Sequence, residues 1–203
     1  MRSRMFASHF ILLPGGNVGK WPIIQLSPQG AIEKVEVHPE GLRERPGLEL
    51  HGGLLIPGLL DICLADQQII PEPRYLNMHY AWGTALLGTN NYQTSERPPA
   101  LIKTNDSIAA PHKVLDRCGN NHEMPILERI KKHLSLTATD NLIELLYLAT
   151  EWSASSIHMS HQIGLLDEGR TPGVIVIQNL DLTTFSFTPQ TRIKWLISPS
   201  IKF

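Results

Sequence analysis

An α+β fold is predicted by three features of the 203-residue chain. From residue 6 to about residue 60, short apolar runs alternate with glycine and proline turns, the pattern of closely spaced strands. The segment 120–152 carries two apolar stripes at helical spacing, and β-branched runs return at 174–177 and 192–197. A β-rich start, helical middle and β-rich end favour an α+β arrangement in which strands from the two ends can share one sheet system.

The first strand is expected from Phe6 to Leu13, ended by the turn Pro14-Gly15-Gly16-Asn17, and the second from Trp21 to Leu26, ended by Ser27-Pro28-Gln29-Gly30. In the next run Val35 and Val37 alternate with charged neighbours, as in a half-buried strand. Residues 66–118 are punctuated by Pro71, Pro73, Pro98, Pro99 and Pro111; within them Tyr80 to Gly88 fits either a helical turn or a strand. Asn120 or Asn121 is placed to cap a helix with Pro125 in its first turn and Ile126, Leu127, Ile130 and Leu134 as its stripe. Lys131, Lys132 and His133 suit that helix's C-terminal end. Thr139 is placed to cap a second, in which Leu142, Leu145, Leu146 and Ala149 repeat. Pro172-Gly173 and Asn179 bound the strand Val174 to Ile177, and Arg192 to Ile197 alternates as a final strand.

At 22.7 kDa the chain is long enough for one good core and too short for a full (β/α)₈ barrel of ~250 residues plus a second domain. A charged fraction of 18% leaves room for an apolar interface, for which a two-fold homodimer is the default expectation. A net charge of −1 gives no electrostatic reason to expect nucleic acid or an anionic membrane as partner. The apolar run 7–13 is too short for a signal peptide or a membrane span, so a cytoplasmic protein is expected, with Cys63 and Cys118 as reduced thiols.

Gly52-Gly53-Leu54-Leu55-Ile56-Pro57-Gly58-Leu59-Leu60-Asp61 resembles a segment of the amidohydrolase superfamily that reads roughly G-x-L-L-x-P-G-L-x-D-x-H-x-H. Leu145 to Thr150, followed by Ile163-Gly164-Leu165-Leu166-Asp167-Glu168-Gly169 and the strand ending at Ile177, is similar to the ending of the same superfamily, in its imidazolonepropionase and deaminase-like members. The resemblance implies a composite β-sandwich formed by residues 1–61 and 162–203, with 62–161 a reduced, mainly helical and loop insert in place of the barrel.

It also places Cys63 and Ala65 where the superfamily has its first two metal-binding histidines. Alanine has no donor atom, and Cys63 reads as a small buried apolar residue. Asp61 reads as a turn residue. Thr104-Asn105-Asp106-Ser107 resembles the G-T-D-S around the last metal-ligating aspartate of deaminase-like members, which would leave Asp106 as the surviving ligand position. Catalytic zinc takes about three protein ligands and an open position. A metal set would therefore need Asp106 together with His112, Cys118 and His122, or a neighbouring subunit.

The spacings His158-x-x-His161 and Cys118-x-x-x-His122 suit one helical face, although neither has a second pair of donors. Ser153, Ser155, Ser156, His158 and Asp167 make a triad only on paper, and no nucleophile elbow, Walker loop or dinucleotide fingerprint is present. These observations point to a non-catalytic or function-shifted amidohydrolase-like protein, a binding or interaction module without cofactor. The alternative is a reduced zinc-dependent hydrolase acting on non-peptide carbon–nitrogen bonds. A third expectation is a small-molecule pocket lined by residues from about 75 to 118, on the surface the barrel vacated.

Overall fold

The computed structural model describes residues 4–62, 72–89, 99–103 and 124–202. Its N-terminal part contributes β1 (Arg4–Ala7), β2 (Phe10–Leu13), β3 (Asn17–Lys20), β4 (Pro22–Leu26), β5 (Ile32–Val37), β6 (Leu48–Leu50), β7 (Leu54–Pro57) and β8 (Leu59–Asp61). Then follow α1 (Pro73–Ala81), β9 (Thr84–Thr89), β10 (Ala100–Lys103) and α2 (Ile126–Leu136). A long helical stretch runs from α3 (Leu142–Tyr147) through a π-helical turn (Leu148–Trp152) into α4 (Ser153–Ser156), and β11 (Val174–Gln178) and β12 (Arg192–Ile197) close the chain.

Two sheets form the composite domain, one of order β5-β4-β1-β6 and one of order β12-β11-β7-β2-β3. The second joins the chain's two ends: β7 and β11 pair antiparallel, with Leu54 opposite Ile177 and Ile56 opposite Ile175. Both strands are buried on both faces. Leu55, Val174 and Val176 enter the cluster shared with Phe6, Ile24 and Ile32 of the other sheet, while Leu54, Ile56, Ile175 and Ile177 face the helices. Double-sided burial explains why these strands read as continuous apolar runs rather than alternating ones.

The single strand expected from Phe6 to Leu13 is two strands in different sheets. The chain crosses at Ser8-His9, where the buried Ser8 hydroxyl donates to the Gly53 carbonyl at 2.8 Å and the Gly53 N–H donates to His9 Nδ1 at 3.1 Å. Gly53 holds this crossing at φ +131°, and a Cβ there would lie 2.0 Å from the Ile177 carbonyl oxygen, so no side chain fits. Gly58 makes the second passage, between β7 and β8; a Cβ on it would lie 2.5 Å from that of Ala85. Those close approaches explain Gly53 and Gly58 within the segment Gly52 to Asp61.

β8 leaves the composite domain and joins a parallel sheet of order β10-β9-β8. The segment expected to be mainly helix and loop thus adds two strands, and the ambiguous run Tyr80 to Gly88 holds both a helix end and a strand start, divided at Gly83. α1 links the parallel neighbours β8 and β9 and covers Leu87 and Leu101 with Tyr75 and Leu76. The opposite face of the sheet, with Leu60, Leu86 and Ala100, packs on Ala154, Met159 and Ile163. Among the described residues this sheet does not close into a barrel.

α2 and α3 supply both expected stripes: Ile126, Leu127 and Ile130 of α2 meet Leu142, Leu145 and Leu146 of α3 over the composite sheet. Their starts differ from expectation. Pro125 is the residue before α2 rather than a member of its first turn, and Asn120 and Asn121 lie outside the described residues. α3 is capped by Asn141, whose side-chain oxygen accepts from the Glu144 N–H at 2.8 Å, so Thr139 lies outside the helix. Among the described residues no helix is long and apolar enough to cross a membrane.

Candidate functional site

Asp61 is the last residue of β8, at the carboxyl end of the parallel sheet, where ligands gather in open α/β sheets. It is fully buried, and a buried carboxylate requires a counter-charge. Arg129 on α2 provides it: the Arg129 Nη2 group donates to Asp61 Oδ2, with side-chain exposures of 1% and 0%. Asp61 is therefore half of an interior ion pair and not the turn residue expected from sequence.

Tyr75, on the linking helix, lies close enough to feel both charges of the pair. Tyr75 and His79 lie one turn apart on α1, and their rings contact at 4.3 Å between centroids. His79 is completely buried, as is Thr84 at the start of β9. Burial pushes the Tyr75 phenol pKa upward, and the Asp61 carboxylate adds to the effect while Arg129 opposes it. Burial thus favours the neutral phenol of Tyr75 over its phenolate.

Arg129 was detectable only as an anomaly. It stands three residues after Ile126, on the flank of a stripe otherwise made of Ile126, Leu127 and Ile130, and arginine at such a position is buried only when paired. Asp61 and Arg129 are far apart in sequence, so no spacing rule could join them.

The other sequence candidates divide into two groups. Cys63, Ala65, Asp106, His112, Cys118 and His122 lie outside the described residues. The paper triad is not assembled: the Ser153 hydroxyl donates to the Leu148 carbonyl, Ser156 donates to the Ser153 carbonyl, and Asp167 pairs with Arg170 at 3.3 Å. His158 and His161 follow α4, which ends at Ser156, so their spacing is that of a turn rather than of a helical face, with His158 at φ +58°. Among the described residues no three His, Cys, Asp or Glu side chains converge as a metal site.

The sequence matches no family model and no curated protein. The fold does have solved counterparts. A protein from Bifidobacterium longum assigned as a prolidase superposes with a TM-score of 0.55 at 10% identity, over 99% of this chain and 96% of its own. A Xaa-Pro dipeptidase with methionine bound in its active site gives 0.53 at 7% identity, over 90% and 95%. The chain shares the fold of these two structures. Identities this low concern architecture, which here consists of the composite sheets, shared between N-terminal and C-terminal strands, with three parallel strands and a helical cover beside them.

Proposed function

We propose that this protein is a non-catalytic or function-shifted member of the amidohydrolase type that acts as a binding module. The observation that carries the reading is the Asp61–Arg129 pair. Arginine keeps its charge at every accessible pH, and it occupies the carboxylate at the strand end where the fold otherwise opens toward a ligand. A divalent ion recruited to Asp61 would meet a buried guanidinium and leave it without its counter-charge, at a cost of about 3–5 kcal/mol.

Elemental analysis of protein purified without chelators tests this directly, alongside turnover assays with Xaa-Pro dipeptides, cyclic amides and aminopurine nucleosides. The expected result is no stoichiometric zinc, iron or nickel and no turnover. Stoichiometric metal with metal-dependent hydrolysis would overturn the proposal in favour of a reduced hydrolase using Asp106, His112, Cys118 and His122. The likeness to prolidase-type structures favours that second reading, and Asp106→Ala and His122→Ala would then abolish both metal and turnover. Self-association through an apolar face belongs to the binding-module reading; light scattering across a dilution series should give the mass of two chains.

A further inference from the structure

A cleft of about 540 Å³ opens between the α2–α3 connection and the long β11–β12 loop, lined neither by Asp61 nor by any residue of the 75–118 range expected to line a pocket. Its volume falls within the range of small-molecule sites, about 300–1,000 Å³. One wall is built from Leu134 and Leu142, the other from Phe185 and Phe187.

The loop wall is preformed. The Asn179 carbonyl accepts from the hydroxyls of Thr188 at 2.7 Å and Thr191 at 3.0 Å, while Asp181 and Ser186 bond to each other through both backbone pairs. The Asp181 carboxylate accepts from the Thr183 N–H at 2.9 Å, which closes the turn. Phe185 is held at φ +50°, a conformation costly for a bulky residue, with its ring edge-on to Phe10 at 5.0 Å. A rigid wall loses little entropy when a ligand arrives.

The charges at the cleft are unequal. Lys131 is half-buried at the rim and makes no ion pair among the described residues, whereas Asp140 is engaged by His133 at 2.6 Å. Arg192 lies with Lys131 around a small recess on Phe187. Within the cleft, Lys131 and two aromatic rings thus stand beside one carboxylate that already has a partner.

We infer that this cleft binds a small aromatic anion, its flat body between Phe187 and Leu134 and its anionic group on Lys131. The inference deepens the binding-module reading and rests on it only for biological meaning. Metal-dependent turnover would remove that reading and leave the cleft untouched, and an inert cleft would leave that reading to stand on its metal analysis.

The test uses the full chain with anilinonaphthalenesulfonate as the anionic probe and uncharged N-phenylnaphthylamine as its neutral counterpart. Fluorescence titration is expected to show one saturable sulfonate site, with amide chemical-shift changes confined to residues of the α2–α3 connection and the β11–β12 loop. Lys131→Gln, a surface change that leaves the core intact, should weaken the sulfonate about fivefold and leave the neutral probe unchanged, the scale of one exposed charge pair. Phe187→Leu should weaken both probes, with its melting temperature as the folding control. Equal effects of Lys131→Gln on the two probes, non-saturable binding, or shift changes elsewhere would overturn the inference. So would a second copy of the chain occupying the cleft, seen as probe binding that disappears when the protein associates.

Discussion

Replacing Arg129 with methionine would strip the buried Asp61 carboxylate of its counter-ion while keeping most of the side-chain volume. With both partners almost wholly removed from solvent, the appropriate scale is that of a broken interior pair, about 3–5 kcal/mol, rather than the fraction of a kilocalorie typical of surface pairs. Each kcal/mol moves the melting temperature of a chain this long by about 2–4 °C, so Arg129→Met should lower it by roughly 6–20 °C. Against a total stability of about 5–15 kcal/mol, that is a large share. The double variant Asp61→Leu with Arg129→Met removes both charges together and should regain most of the loss. Urea denaturation of the four proteins in the cycle, with the m-value checked for constancy, measures the coupling directly. An Arg129→Met protein within about 1 kcal/mol of the parent would refute the claim that the pair is desolvated. Two single losses that simply add in the double variant would refute the pairing itself.

Three further outcomes follow from the geometry. Gly53→Ala would place its methyl carbon against the Ile177 carbonyl at a backbone angle alanine avoids, and it should destabilise by more than about 3 kcal/mol or yield insoluble protein in expression trials. Asn141→Ala removes the cap of α3 and should cost about 1 kcal/mol, read by denaturation, whereas Thr139→Ala should cost nothing measurable. His51 has its pKa lowered from 6.5, chiefly by burial. The unfolded chain then binds the proton more readily, so the His51 contribution is complete above about pH 6.5 and fades as pH falls through the lower folded value. Melting temperatures recorded between about pH 8 and pH 5 should decline, and His51→Gln should flatten the decline.

The parts of the fold that could be read from sequence are those whose burial imposes a one-dimensional pattern. β11 is apolar from Val174 to Ile177 because sheet and helices cover both its faces, and α2 and α3 each need one stripe. The parallel sheet was illegible for the opposite reason. Its strands are short, α1 and β9 meet within a few residues, and only Gly83 marks the break. The α3 cap had a usable signal, since Asn141 followed by Glu144 has the spacing of a capping box, and Thr139 was merely nearer the expected start. The Asp61–Arg129 pair had none, because its partners meet only after β8 and α2 have packed. The β11–β12 loop carries no such periodic pattern, yet its threonines and its strained phenylalanine build a wall.

The pairing of β7 with β11 also governs how the molecule is made. β7 occupies the middle of its sheet, yet its partner is more than a hundred residues downstream. On the ribosome β7 emerges well before β11, and it must wait with one edge unpaired and both faces apolar until residues 174–178 have been synthesised. Closing so long a loop is slow, since the entropy of closure is lost before the contacts form. A chain truncated anywhere before Val174 would therefore lack the strand that completes the centre of its own sheet, and translation pauses within the insert should lengthen its dependence on holding chaperones.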